Sequence, residues 1–206
     1  MILESLPTGP LQVNCYILGC ETTRQAVVID PGGDVAQILA LLKQLNLNLQ
    51  LVINTHGHFD HVGGNSQLLA ATGAELLLHQ ADSQLLASAA KHAAAYGMKT
   101  DSSPAPQRLL KGGEQLQLGE LQIDVLHTPG HTPGGICLLV ADQLIVGDTL
   151  FAGSIGRTDL PGGDHQTLIS SIREKLLKLP DATVAHPGHG PATTIGREKL
   201  YNPFLS

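Results

Sequence analysis

Short apolar runs alternate with segments of helical period along the chain. Residues 14–18 and 26–29 are compact and apolar, as buried strands are. Asp30-Pro31-Gly32-Gly33 ends the second run, and Asp34 is placed to cap a helix whose Ile38, Leu41, Leu42 and Leu45 recur at helical spacing. Residues 51–53 read as a further buried strand, 65–71 as a short helix and 75–78 as a strand. The Ala-rich stretch 81–96 predicts one helix, because Ala and Leu have the highest propensity. Residues 98–107 are polar and Pro-containing, which predicts a loop.

Strand patterns return at 115–118, 121–126, 135–140 and 144–146, with Ala141-Asp142-Gln143 as the hairpin turn between the last two. Asp164 then predicts the N-cap of a helix carrying Leu168, Ile172, Leu176 and Leu179 on its apolar face. Residues 183–185 form a last short strand, and Thr193 or Thr194 caps a terminal helix that stops at Asn202-Pro203. Two successive β-rich, helix-flanked halves predict a mixed α/β sandwich with helices on its outer faces, in one domain without repeats.

Composition narrows the function. The 206 residues suffice for a core without disulfide staples. A formal charge of −6 without a basic block argues against nucleic-acid binding and against a polybasic membrane contact. No apolar run approaches the ~18 residues of a membrane span, and Pro7 and Pro10 break the start, so no secretory signal is expected. Cys15, Cys20 and Cys137 are odd in number and lack CxxC spacing, which predicts packed, reduced thiols in a cytoplasmic protein. Ten histidines against twelve Lys plus Arg are the anomaly, and several stand beside Gly, Asp and Pro, as loop residues do.

The central motif is Thr55-His56-Gly57-His58-Phe59-Asp60-His61, of the form H-x-H-x-D-H, directly after the strand at 51–53. In extended chain, residues two apart share a side, so His56, His58 and Asp60 converge while His61 faces elsewhere. Zinc takes about four ligands, and a catalytic site keeps one for water, so these residues alone could not fill two sites. Three more candidates follow strand ends: His131 in His127-Thr128-Pro129-Gly130-His131, Asp148 after Val146-Gly147, and His189 in Pro187-Gly188-His189-Gly190. His127 and His186 are expected to pack or orient neighbours, and His79, His92 and His165 to lie at the surface or at element boundaries. Asp30 forms its loop and is a candidate to orient the histidine segment from behind.

This combination resembles the metallo-β-lactamase superfamily, and within it the short glyoxalase II-like hydrolases, over most of the chain. The resemblance implies an αββα sandwich without the C-terminal helical extension of the longer glyoxalase II enzymes. It implies that His56, His58 and His131 hold one divalent metal and Asp60, His61 and His189 a second, with Asp148 bridging. Zinc is the first choice, iron or manganese the others. The implied reaction is hydrolysis of a small-molecule thioester such as S-D-lactoylglutathione by a metal-bridging hydroxide, which Asp60 orients.

Gly147-Asp148-Thr149-Leu150-Phe151 and Gly156-Arg157-Thr158-Asp159 resemble that branch, except that Arg157 and Asp159 stand where the longer enzymes have Lys and Tyr. Arg157 is a candidate to hold a substrate carboxylate, or else to pair with Asp159 or Asp164. The bridging Asp148 disfavours antibiotic hydrolysis, His58 departs from the H-x-E-x-D of di-iron flavoproteins, and a nuclease domain has no room. The alternatives kept are an iron persulfide dioxygenase using His56, His131 and Asp148, and a non-catalytic metal-binding module.

Overall fold

Three antiparallel strands open the chain: β1 (Ile2–Thr8), β2 (Val13–Gly19) and β3 (Gln25–Ile29). The computed structural model describes residues 1–205. These residues form two compact units, the first made of Met1–Leu110 with Gln117–Leu121, the second of Lys111–Leu116 with the chain from Gln122 onward. β1 was not expected, since ILESLPT alternates weakly and contains Pro7. It is an edge strand, where a residue without an N–H is tolerated.

In the first unit, α1 (Val35–Gln44) leads to β4 (Asn48–Ile53), then α2 (Phe59–Val62), α3 (Asn65–Thr72) and β5 (Glu75–His79). After a 3-10 turn come α4 (Ser83–Ala87), α5 (Ala89–Ala95) and β6 (Arg108–Leu110). The sheet runs β1-β2-β3-β4-β5-β6, and β3 through β6 are parallel. Helix α1 buries Val35, Ile38 and Leu42 against Ile17, Val28, Val52 and Leu76. Each such side chain is worth about 1.5–3 kcal/mol on burial.

The second sheet runs β14-β13-β10-β9-β8-β7. Its strands in chain order are β7 (Gln115–Leu118), β8 (Leu121–His127), β9 (Ile136–Val140), β10 (Gln143–Gly147), β13 (Val184–Pro187) and β14 (Thr193–Thr194). The small hairpin β11 (Leu150–Phe151) and β12 (Ser154–Ile155) lies between β10 and α6 (His165–Ser171), and α7 (Ile195–Tyr201) closes the fold. The core of the second unit gathers Cys137, Leu144, Val146, Leu168, Ile172, Leu176 and Ile195.

Local details depart from the expectations. Asp34 precedes α1 but makes no side-chain cap bond; it takes a left-handed backbone (φ 49°), and its carboxylate accepts from the Gly9 N–H at 2.8 Å. Asp164 and Thr194 do cap α6 and α7, accepting from Thr167 N–H and Arg197 N–H. The single helix expected at 81–96 is interrupted at Ser88, whose hydroxyl donates to the carbonyls of Gln84 and Leu85 and competes with the helical backbone. After α6 the chain widens into a π-turn at Ile172–Leu176. Leu168, Ile172 and Leu176 are four apart, a spacing that drifts about 40° per step in an α-helix, and the wider turn keeps all three buried.

Candidate functional site

In the first unit the motif lies beyond the end of β4. Parallel pairing of Ile29 with Ile53 sets Asp30, just past β3, beside Thr55. Asp30 is 1% exposed, with a left-handed backbone (φ 53°). Its Oδ1 accepts from Thr55 N–H at 2.7 Å, and its Oδ2 accepts from the Thr55 hydroxyl at 2.6 Å and from His61 Nδ1 at 2.9 Å. The Thr55 hydroxyl has one proton, which goes to Asp30, so the 3.1 Å contact to His56 Nδ1 has the ring donating. Carboxylate and hydroxyl thus fix the proton of both rings on Nδ1, which makes Nε2 the nitrogen that bears the lone pair.

The His56 ring centroid lies 4.7 Å from His58 and 4.1 Å from His61. The extended geometry expected across the motif ends at His58. Asp60 and His61 lie on the one-turn helix α2, which brings His61 back toward His56 instead of turning it away. His56 and His61 are buried, His58 and Asp60 half-buried.

In the second unit, parallel β10 and β13 pair Gly147 with Pro187, so Asp148 and His189 leave adjacent strand ends. His131 sits in the loop between β8 and β9. Its Nδ1 donates to the Arg157 carbonyl at 2.7 Å, again leaving Nε2 as the ligand-type nitrogen. Asp148 Oδ2 lies 3.7 Å from His131 Nε2 and 3.9 Å from His189 Nε2. Gly156 makes this arrangement possible, because a Cβ there would stand 2.0 Å from the Asp148 carbonyl oxygen and 3.2 Å from His131 Cβ.

The donor set suits divalent metals. Ligands 2.0–2.1 Å from one tetrahedral ion stand about 3.4 Å apart. The Nε2–Oδ2 separations of 3.7–3.9 Å, including 3.7 Å for His61 and Asp60, lie beyond hydrogen bonds and near that value. Three imidazoles held through Nδ1 by carboxylate, hydroxyl or carbonyl are oriented as metal-ligating histidines are.

Among the remaining histidines, His79, His127 and His186 make local contacts. His127 Nε2 faces the Pro133 carbonyl at 2.9 Å, and His186 Nε2 faces Gln143 Oε1 at 2.7 Å. Burial lowers the His186 pKa below its ordinary value, against an opposing pull from Asp142. His92 and His165 are exposed, whereas His79 is buried, its Nδ1 accepting from Ala81 N–H. Arg157 grips Asp159 through two bonds of 2.8 and 2.7 Å, one of the pairings weighed from the sequence. A cleft of about 550 Å³ in the first unit is lined by Asp34, Gln67, Ala94, Lys99 and Thr100 among others and holds none of the seven donor residues. All three cysteines are free and buried, and among the described residues no helix is long and apolar enough to cross a membrane.

Thr55 and the Arg157 carbonyl hold the candidate donor rings and Asp82 accepts from the Gly57 N–H between two of them; none of the three was singled out from the sequence. The available signal was position: Asp82 follows shortly after a strand end, as Asp30 and Asp148 do.

The sequence pattern of the metallo-beta-lactamase superfamily matches residues 8–189. The hydroxyacylglutathione hydrolase GloC of Haemophilus influenzae is 41% identical over 210 residues, covering 100% of this chain and 99% of that protein. Among solved structures, the BLEG-1 B3 metallo-beta-lactamase matches with a TM-score of 0.93 at 37% identity over 100% of both chains. TTHA1623 in a di-iron-bound form matches at 0.89 and 42% identity, over 98% of this chain and 100% of that one. The mixed α/β fold expected from the sequence is thus the one these structures share.

Proposed function

The chain belongs to the metallo-β-lactamase superfamily, and from that premise we propose that this metallohydrolase binds two divalent ions and cleaves a small thioester of the S-D-lactoylglutathione type. His56, His58 and His131 would hold one ion, Asp60, His61 and His189 the other, and Asp148 both. Zinc is the first choice, with iron next, given the di-iron relative. The observation that carries this reading is the donor set, in which His56, His61 and His131 each have Nδ1 engaged and Nε2 left as a ligand nitrogen.

Bound there, divalent ions supply Lewis acidity toward the carbonyl and lower the pKa of a bound water from 15.7 toward about 7. Asp60, whose carboxylate stands beside His61 Nε2, would accept a hydrogen bond from the nucleophile and aim it. A thiol of ordinary pKa, about 8.5, departs as thiolate, so no strong general acid is required. The choice of thioester follows the relationship to the hydroxyacylglutathione hydrolase. Arg157 would meet a substrate carboxylate by exchanging Asp159 for it, since the pair is exposed and its fork of donors fits either partner. Three buried free thiols suit a reducing, cytoplasmic setting.

A second reading, β-lactam hydrolysis, is favoured by the likeness to BLEG-1. It demands protonation of an amine leaving group, which thioester cleavage does not. The test combines metal analysis with anaerobic thiol release from S-D-lactoylglutathione and turnover of a chromogenic cephalosporin. Two metals per chain with thiol release support the proposal. Cephalosporin turnover alone transfers the function to the second reading, and one iron with oxygen uptake on glutathione persulfide overturns both.

A further inference from the structure

Asp82 is fully buried just beyond β5, 25 residues from the segment it supports. Parallel pairing of Ile53 with Leu77 carries the chains beyond β4 and β5 side by side. Asp82 therefore comes next to Gly57, which separates His56 from His58. The Asp82 Oδ2 accepts the Gly57 N–H at 3.0 Å.

Two features mark this bond as more than incidental packing. Asp82 occupies the N-cap position of α4, where an aspartate ordinarily accepts from the helix's own N–H groups; here it makes no side-chain cap bond. The backbone is also pressed close: a Cβ on Gly57 would stand 2.9 Å from the Leu86 nitrogen and 3.1 Å from the Asp82 carbonyl oxygen. Only glycine lets the loop lie so near α4. Asp30 holds Thr55 N–H and Asp82 holds Gly57 N–H, so two buried carboxylates bracket His56 in the chain.

We infer that Asp82 is a positioning residue for metal binding: by fixing the Gly57 amide it sets the divergence of His56 and His58, whose rings stand at 88°. The inference rests on the metallohydrolase reading above. Supporting residues behind metal ligands typically contribute ten- to a hundred-fold in metal affinity.

The test titrates metal-free wild type, D82A and D82N with Co²⁺, reading the visible ligand-field spectrum and Kd, with the hydrogen exchange of the Gly57 amide followed by NMR. D82A is expected to bind about ten- to a hundred-fold more weakly with an altered spectrum. D82N keeps an acceptor of the same shape without the charge and is expected to lie between, about five-fold weaker. L42A, a cavity on α1 away from the loop, is the control for general destabilisation and should retain the wild-type Kd and spectrum. A folded D82A with wild-type Kd and spectrum overturns the inference. Should D82A not fold, D82N decides, and a wild-type Kd and spectrum there overturns it equally. Wild type that binds no cobalt sinks the metallohydrolase reading and this one together; two ions in wild type and equally tight binding in D82A sink this one alone.

Discussion

Replacing Asp30 by Asn should move a proton on His61. The exchange keeps the size of the side chain, and Asn tolerates the left-handed backbone at φ 53°, so neither a cavity nor strain arises. Its oxygen can still accept from Thr55 N–H, but the second position becomes an NH2 group facing the Thr55 hydroxyl and His61 Nδ1, now 2.6 and 2.9 Å away. Turning the amide over would set NH2 against the Thr55 N–H, a buried clash of donors. The arrangement left open makes His61 Nδ1 an acceptor and puts its proton on Nε2, where the metal should bind. A hydrogen bond to a charged group is worth about 1.5–3 kcal/mol, which corresponds to about a ten- to hundred-fold loss of affinity at that nitrogen. Long-range ¹⁵N–¹H NMR on the metal-free protein reads the tautomer directly, and a competition titration with zinc reads the affinity. A D30N protein that keeps its Nδ1 proton and its wild-type zinc Kd would refute the reasoning.

Asp148→Ala should strip or weaken both metals and abolish hydrolysis; normal metal content with full activity would remove its bridging role. Asp60→Asn should lower kcat by orders of magnitude in stopped assays, and an unchanged rate takes it out of the nucleophile's surroundings. Gly156→Ala places a methyl 2.0 Å from the Asp148 carbonyl oxygen, so a destabilisation of about 1–3 kcal/mol is expected, together with weaker metal binding; calorimetry and metal analysis that match wild type would show the loop to be pliant. The Arg157 guanidinium holds the Asp159 carboxyl down to about 2 from its ordinary 3.8. Because this folded value lies below the unfolded one, the pair's contribution is full above about pH 3.8 and fades as pH falls through about 2. In Arg157→Gln the carboxyl ¹³C titration should return toward 3.8, and an unmoved midpoint would assign the shift elsewhere.

What the sequence determined by itself is local. Apolar runs gave the positions of β3, β4, β5, β9 and β10, because a buried strand has to be apolar whatever it pairs with. His56, His58, Asp60, His61, His131, Asp148 and His189 stood out as metal-type residues just past such runs, and the motif together with these later strand-end residues carried the resemblance to the superfamily. Weak or interrupted patterns failed: edge strand β1 with its proline and the break at Ser88.

Only the tertiary structure decided which distant groups support the donors. Asp30 meets Thr55 and His61, and Asp82 meets Gly57, across separations of 25 to 31 residues. No periodicity encodes such partners; they follow from the parallel register of β3, β4 and β5, which sets successive strand ends side by side. A carboxylate there is buried at a cost unless donors await it. The pairing of strands, settled by the whole sheet, therefore fixes the partner that each charged residue finds.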